Sequence, residues 1–167
     1  ASISLTFDQI MITGGGSPPQ AIVRIFTLSS EELKKDSWML TARNAHSVVS
    51  CEGAIYLIGG FSGNERLNSV ERYYDDQKQW KNVAPMKQKW HYLTACSLKG
   101  AAEENIYAFG GFYGGSDSEI NDSIEKYIPS ENAWTKLMIT LKTPLWACTA
   151  IPISQNQIVI LGGKNKN

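Results

Sequence analysis

The sequence has no excess of charge of either sign and no long apolar run. Sixteen basic and sixteen acidic residues cancel to a formal net charge of zero. Surfaces that bind nucleic acid need a basic excess, and polybasic segments are what attract anionic lipid. No apolar stretch approaches the roughly 20 residues that a helix needs to span a bilayer. We therefore expect neither nucleic acid nor a membrane as a partner.

Cysteine and histidine are scarce. The three cysteines, Cys51, Cys96 and Cys148, are odd in number, widely separated and without a Cys-x-x-Cys pair. Disulfides and zinc are therefore not expected, and we predict three buried, reduced thiols in an intracellular, cytoplasmic protein. His46 and His91 have no carboxylate at ligand spacing, so we interpret both as structural and expect no metal and no cofactor.

The signatures of several enzyme classes are also missing. There is no Gly-x-Ser-x-Gly elbow and no His-Glu-x-x-His pair, and the glycine-rich stretch from Gly14 to Pro19 lacks the lysine of a phosphate-binding loop. The chain begins at Ala1 without the basic segment of a secretion signal. Because it also lacks an initiator Met and ends inside a repeat, we expect a piece of a longer protein.

What the sequence does contain is a repeat. Glycine doublets begin at Gly14, Gly59, Gly110 and Gly162, in steps of 45, 51 and 52 residues. Each doublet ends a short apolar run of the kind typical of a buried strand, and a polar loop follows it. Self-similarity at a nearly fixed period indicates a repeat architecture.

A second run of strand-like sequence follows each loop. Residues 69–74 and 123–128 align closely, and each leads into a turn rich in Asp, Ser or Asn. A tryptophan then begins the next predicted strand, at Trp80 and Trp134, and we assign the same role to Trp38 in the first repeat. Rings of this size would fill the gap between adjacent sheets.

This order of apolar strand, glycine doublet, loop, aromatic strand, turn and tryptophan resembles the Kelch motif over the whole chain. The resemblance implies that each repeat forms a four-stranded antiparallel blade of a β-propeller, with strands A to D counted outward from the axis. It also implies that Glu71 and Glu125, which recur in strand C, are structural and tie neighbouring loops. One sheet cannot bury both of its faces, so the blades must stack.

The fold prediction is therefore all-β: a partial Kelch propeller of about three and a half blades, a fragment of a larger, six-bladed ring. Blade one covers 1–40, blade two 41–85 and blade three 86–138, and half of blade four covers 139–167. Blade one departs from the motif, with a long linker at 29–36 that we interpret as a hairpin extension. The open ends would expose apolar sheet faces, which we expect the remaining blades or another copy to cover.

The resemblance implies that ligands contact the rim at two recurring positions. One position directly follows the glycine doublet. The other lies four residues after a methionine, which gives Arg43 after Met39 and Trp90 after Met86, and a match of the fourth repeat to the third adds Lys142. Aromatic rings and Arg are the usual anchors of protein interfaces. The predicted partner-binding residues are Arg43, Phe61, Asn64, Arg66, Lys89, Trp90, Phe112, Tyr113, Lys142 and Lys164.

The function that the resemblance implies is non-catalytic binding of a partner protein or peptide through rim loops. The module would be the substrate-recognition part of a ubiquitin-ligase adaptor or part of a cytoskeletal scaffold. The alternative is a Kelch-like enzyme of the copper oxidase or sugar epimerase type, with an active site completed by blades outside this chain. A copper-radical site needs two His, two Tyr and a Tyr-Cys crosslink near the axis, and here only two blades carry a His.

Overall fold

The chain folds into consecutive antiparallel sheets. The computed structural model describes residues 1–100, 102–114 and 120–165, so that 115–119, part of the polar loop expected after the third glycine doublet, lie outside the described residues. The strands are β1 Ser2–Ser4, β2 Gln9–Thr13, β3 Ile22–Thr27, β4 Glu32–Trp38, β5 Ser47–Cys51, β6 Ala54–Phe61, β7 Arg66–Tyr74, β8 Gln79–Val83, β9 Thr94–Lys99, β10 Glu104–Phe109, β11 Ser123–Ile128, β12 Ala133–Thr140, β13 Trp146–Ser154 and β14 Gln157–Lys164.

Neighbouring strands in each sheet are also neighbours in sequence. Strands β1 to β4, β5 to β8 and β9 to β12 form three four-stranded sheets, and β13 pairs with β14 alone. The first strands of successive sheets (β1, β5, β9 and β13) lie side by side. This is the arrangement of propeller blades around an axis, so the prediction of a partial propeller with three and a half blades is confirmed.

The hydrophobic core lies between the blades. Met11 and Val23 of blade one pack with Leu57 and Trp80 of blade two. A larger cluster joins blades two and three, and a smaller one joins blades three and four. Because the sheets of blades two and three each lie between two neighbours, apolar side chains project from both faces of their strands rather than from one.

Trp80 and Trp134 lie at the second residue of β8 and β12 and are buried. The Trp80 indole N–H donates to Ser37 Oγ at 3.2 Å, and that of Trp134 donates to the carbonyl oxygen of Ala84 at 3.0 Å. Both acceptors belong to the preceding blade or the connection that leaves it. Each ring therefore contributes buried apolar area and a hydrogen bond to one inter-blade interface.

The role predicted for Trp38 is wrong. Trp38 ends β4 instead of beginning it and is 58% exposed. Leu33 pairs with Phe26 in the register, as Trp80 pairs with Tyr73 in blade two. The spacing explains this result, because Leu33 lies seven residues after Phe26 just as Trp80 lies seven after Tyr73. The linker at 29–36 thus consists of a turn followed by most of β4.

The glycine doublets connect each blade to the next. A Cβ on Gly59, whose φ is +60°, would lie 2.7 Å from the carbonyl oxygen of Trp90 in blade three. The backbone N–H of Gly60 donates to that same oxygen at 2.8 Å. The first glycine therefore permits the close approach, and the second supplies the hydrogen bond. Blades one and three repeat the arrangement through the carbonyls of Arg43 and Leu145.

The cysteines are free, and the prediction of three buried thiols holds for two of them. Cys51 and Cys96 are buried and Cys148 is half-buried. Burial raises the pKa of Cys51 and of Cys96 to about 12. Within 1–100, 102–114 and 120–165, no helix is long and apolar enough to cross a membrane.

Candidate functional site

One face of the propeller carries the loops after the glycine doublets together with the segments that lead into the innermost strands. Asn44 bridges to Phe61, His91 bridges to Phe112, and Trp146 pairs with Lys164. The residue after each of the last three glycine doublets therefore lies beside the segment that leads into the innermost strand of the same blade, and a ligand could contact both at once.

A chain of backbone hydrogen bonds crosses this face from blade to blade. Ala45, Tyr92 and Ala147 occupy equivalent positions and share a left-handed backbone, with φ of 49°, 56° and 53°. The N–H of Tyr92 donates to Ala45 O at 2.8 Å, and the N–H of Ala147 donates to Tyr92 O at 2.9 Å. These bonds give side chains from three blades a fixed spacing on a rigid scaffold.

Five aromatic rings from blades two, three and four form a continuous surface that we call the aromatic strip. His91 lies at its centre, with ring centroids 5.9 Å from Phe61, 5.0 Å from Tyr92 and 5.8 Å from Phe112. The Trp146 ring lies 5.3 Å from both Tyr92 and Phe112. Tyr92 is 44% exposed and the others are half-buried, so the strip presents ring surface to solvent.

Cationic side chains flank the aromatic strip. The Lys164 ammonium lies 5.3 Å from the centroid of the Trp146 ring. Lys89 pairs with Glu65, and the guanidinium of Arg66 donates to the carbonyl oxygen of Gly114. Two further predicted site residues, Asn64 and Tyr113, are exposed. The flanks thus offer polar and cationic groups around an apolar centre, which is the usual composition of a protein-binding patch.

The structure buries Arg43, which the sequence places among the partner-binding residues. Its guanidinium donates to Glu71 Oε1 at 2.6 Å and to Gly59 O at 2.8 Å, and it also bonds the carbonyl and hydroxyl oxygens of Ser69. Neither side chain of the ion pair has exposed surface. Arg43 is therefore part of the scaffold and not of the accessible face.

Trp90 is also inaccessible. It occupies in blade three the position of Arg43 in blade two, is 0% exposed and belongs to the core between blades two and three. Its carbonyl oxygen receives the N–H of Gly60. A large apolar ring at this position fills space that a polar group fills one blade earlier, so Trp90 belongs to the core and has no exposed surface.

The prediction that Lys142 occupies in blade four the position of Arg43 and Trp90 is wrong. Leu145 holds that position, because its carbonyl oxygen accepts the N–H of Gly111 at 2.8 Å as those of Arg43 and Trp90 accept the N–H groups of the earlier doublets. Lys142 is exposed three residues earlier. Leu141 replaces the methionine of the earlier repeats, and counting four residues from it gives Leu145.

The structural role expected for the recurring glutamates is confirmed. Glu71 accepts the backbone N–H groups of Leu40 and Thr41 at 2.7 and 3.0 Å. Glu125 accepts those of residues 87 and 88 at 2.8 and 3.1 Å. Each carboxylate in strand C thus fixes the connection that enters its own blade.

The two histidines have different surroundings. His46 is buried, its Nε2 lies 2.8 Å from Thr13 Oγ1, and burial lowers its pKa well below the usual value. His91 is half-buried, with Nδ1 3.1 Å from the carbonyl oxygen of Phe112, and burial lowers its pKa too. In the part of the chain that the structure describes, no three His, Cys, Asp or Glu side chains group as metal ligands.

Sequence reasoning missed three members of the aromatic strip: His91, Tyr92 and Trp146. The signal was present in the segment before each innermost strand, where Asn44-Ala45, His91-Tyr92 and Trp146-Ala147 are equivalent. Aligning the repeats on this segment, instead of on the glycine doublets, would have found them. The hairpin that separates the two features differs in length between blades.

A cavity of about 550 Å³ lies elsewhere, between blades one and two. Leu5, Met11, Ile55 and Tyr73 form its apolar wall. It shares no residue with the aromatic strip, and its polar rim carries both Arg72 and acidic side chains. The strip is therefore the better candidate for a functional surface.

Comparison with known proteins gives the family. The Kelch motif model matches residues 42–87 and 89–138, which correspond closely to blades two and three. An F-box/kelch-repeat protein of Arabidopsis thaliana is 35% identical over 94 residues, which cover 56% of this chain and 26% of that protein.

Other relatives match over a longer part of the chain. Kelch-like protein 35 of Mus musculus is 27% identical over 98% of this chain and 27% of its own length, and Kelch-like protein 23 of Homo sapiens is 28% identical over 85% and 24%. The chain spans about a quarter of the length of these curated relatives. With four glycine doublets in phase, stacked four-stranded blades and a motif match over more than half of its residues, the chain belongs to the Kelch-repeat family.

Proposed function

We propose that this chain is a non-catalytic interaction module that binds a partner protein or peptide through the aromatic strip. The observation that carries the proposal is the contact of five rings, supplied by three blades, on one solvent-facing surface. No single blade could build this surface. The neighbouring hydrogen bonds hold its backbone in place, so little conformational entropy is lost on binding.

The chemistry of the strip suits protein recognition. Aromatic side chains bury a large area while losing few rotatable bonds, which makes them frequent interface anchors. The nearby ammonium of Lys164 and the half-buried guanidinium of Arg66 can add charge-assisted hydrogen bonds at the edge of such a contact. Within the predicted set, Phe61, Phe112, Tyr113, Asn64, Arg66, Lys89 and Lys164 remain in the proposal.

We further propose that the module serves as the recognition part of an adaptor or scaffold in the cytoplasm. Support comes from relatives whose names carry the terms F-box, Kelch-like or, in Caenorhabditis elegans, Kelch repeat and BTB domain. The buried hydrogen bond of His46 with Thr13 and the ring contact of His91 with Phe112 also favour binding over catalysis.

Tyr92→Ala is the variant that tests the strip most directly. Alanine already occupies the same position with nearly the same φ in blades two and four, so the change removes the ring without straining the backbone. Affinity capture with the complete protein would identify the partner, and the purified pair would give dissociation constants. We expect Tyr92→Ala to weaken binding by about tenfold or more, as loss of an interface anchor does.

Met138→Ala is the matched control, because Met138 is 99% exposed on the outer strand β12 and lies outside the strip. It should bind within about twofold of the parent protein. Equal affinity of the parent, Tyr92→Ala and Phe112→Ala proteins would overturn the proposed surface. A partner whose binding is lost in Met138→Ala but kept in Tyr92→Ala would move the site to the outer edge.

A further inference from the structure

Blades two and three use the same buried carboxylate with different neighbours. Glu71 and Glu125 both lack exposed surface, and each accepts two backbone N–H groups. Glu71 also receives the guanidinium of Arg43 at 2.6 Å. In blade three Trp90 replaces that arginine, and Glu125 makes no ion pair with any residue in the described ranges.

A buried carboxylate without a cation is costly to keep ionised. The strands beside Glu125 give it little compensation: Lys136 lies opposite on β12 but is exposed, and Ala108 lies opposite on β10 without a charge. From the connecting segment, Lys87 adds a second exposed cation. Burial raises the pKa of Glu125, while the two amides and the two lysines lower it by less.

The segment that Glu125 holds is a short exposed turn between two fixed points. Residues 87–89 are exposed, whereas Met86 before them and Trp90 after them are buried. Within the residues described, the first two amides of this turn donate hydrogen bonds only to Glu125. The turn ends in Lys89, which pairs with Glu65 in the loop between β6 and β7.

We propose that Glu125 is a positioning residue for the turn at 87–89, and that protonation of its carboxyl loosens this turn while the equivalent turn at 40–42 stays fixed. A protonated carboxyl has one strong acceptor oxygen instead of two, so one backbone N–H loses its partner. Glu71 has the guanidinium of Arg43 as a further partner at 2.6 Å, a contact that Glu125 lacks among the described residues. Loosening of the turn would change the position of Lys89 beside the aromatic strip. An effect of that change on binding rests on the proposed function, whereas the loosening of the turn does not.

The two turns provide an internal comparison within one molecule. Nuclear magnetic resonance of the complete protein, selectively labelled with ¹⁵N, would follow the amides of Lys87 and Gln88 against those of Leu40 and Thr41 as the pH is lowered. We expect the first pair to titrate together with a midpoint above about 4.3, the ordinary value for Glu, and the second pair to stay unchanged there. Coincident titration of both pairs, or a midpoint at or below that value for the first, would overturn the proposal.

Two variants assign the titration to its source. Glu125→Gln keeps one acceptor oxygen and cannot ionise, so the signals of Lys87 and Gln88 should no longer titrate in that range. Their continued titration in Glu125→Gln would identify another group and contradict the proposal. Trp90→Arg recreates the ion pair of blade two and should move the midpoint downward, because a nearby guanidinium favours the ionised carboxylate. If that variant does not fold, the internal comparison and Glu125→Gln decide the question, and neither depends on a partner.

Discussion

The guanidinium of Arg43 donates to the carboxylate of Glu71 across 2.6 Å, and neither side chain reaches solvent. The pair joins the connection that enters blade two to the third strand of that blade. The backbone carbonyl of Arg43 also accepts a hydrogen bond from the glycine doublet of blade one. A single residue thus fixes both the start of one blade and its interface with the previous one.

Loss of one partner of this pair should be strongly destabilising. Arg43→Met leaves the buried Glu71 side chain without its cationic partner, a defect that costs about 3–5 kcal/mol in other proteins. Lys89→Met, which removes an exposed ion pair, should cost about 1 kcal/mol or less. Urea unfolding of the parent and both variants gives the comparison. Similar costs for the two variants would show that the buried pair has no special role.

For a substitution at Gly59, the first glycine of the second doublet, Gly53 serves as the control. Both have positive φ, of 60° and 72°, but a Cβ on Gly53 would meet nothing within 4 Å, whereas one on Gly59 would press on the Trp90 carbonyl. Gly53→Ala should cost about 1–2 kcal/mol through backbone strain alone. Gly59→Ala should cost about 1–3 kcal/mol more because the interface must open. Thermal and urea unfolding would test the order, and equal costs would contradict the close approach.

Acid should destabilise the protein through His46. Because burial lowers the pKa of His46 in the folded state, the unfolded chain binds more protons below its ordinary pKa of about 6.5. The free energy of unfolding should therefore be greatest above pH 6.5 and fall as the pH drops below it, by up to about 1.4 kcal/mol per pH unit. His46→Asn removes the titrating group and should flatten this fall. Identical pH profiles for parent and variant would refute the assignment.

The cost of replacing a tryptophan should depend on how deeply its ring is buried. Trp134→Ala empties the core between blades two and three and removes the hydrogen bond to Ala84, so we expect a loss of about 3–5 kcal/mol. Trp38→Ala removes an exposed ring that has the Lys35 ammonium 4.3 Å from its centroid, and should cost about 1 kcal/mol or less. Unfolding midpoints at matched pH would measure both. A large loss for Trp38→Ala would mean that its ring is covered in solution.

The sequence predicted the blades well because their determinants are local and repeated. A glycine doublet after an apolar run, and a tryptophan seven residues after an aromatic strand position, identify the second and fourth strands of blades two and three directly. Trp38 does not follow this pattern, because a longer linker places it beyond the equivalent position. Only the strand register showed that Leu33 occupies the position of Trp80 and Trp134.

The candidate site was less predictable because it depends on relations between blades. The resemblance placed Arg43 and Trp90 at the rim, but whether a side chain points outward or into the core follows from packing against the next sheet. The meeting of Tyr92 with Trp146 likewise depends on how two blades are set side by side. Lys142 was misplaced because the fourth repeat has Leu141 where the earlier ones have methionine.

The bonds between blades use mainly the doublets and the connecting segments, and the carboxylates of strand C hold those segments in place. The hairpin tips add single bonds, such as that from the Glu52 N–H to the Glu104 carboxylate. The doublets are 45, 51 and 52 residues apart, and this variation falls in the hairpins and loops between those fixed contacts. New loop sequences could therefore be exchanged at the rim during evolution, or grafted by design, while the stacking of the sheets is inherited unchanged.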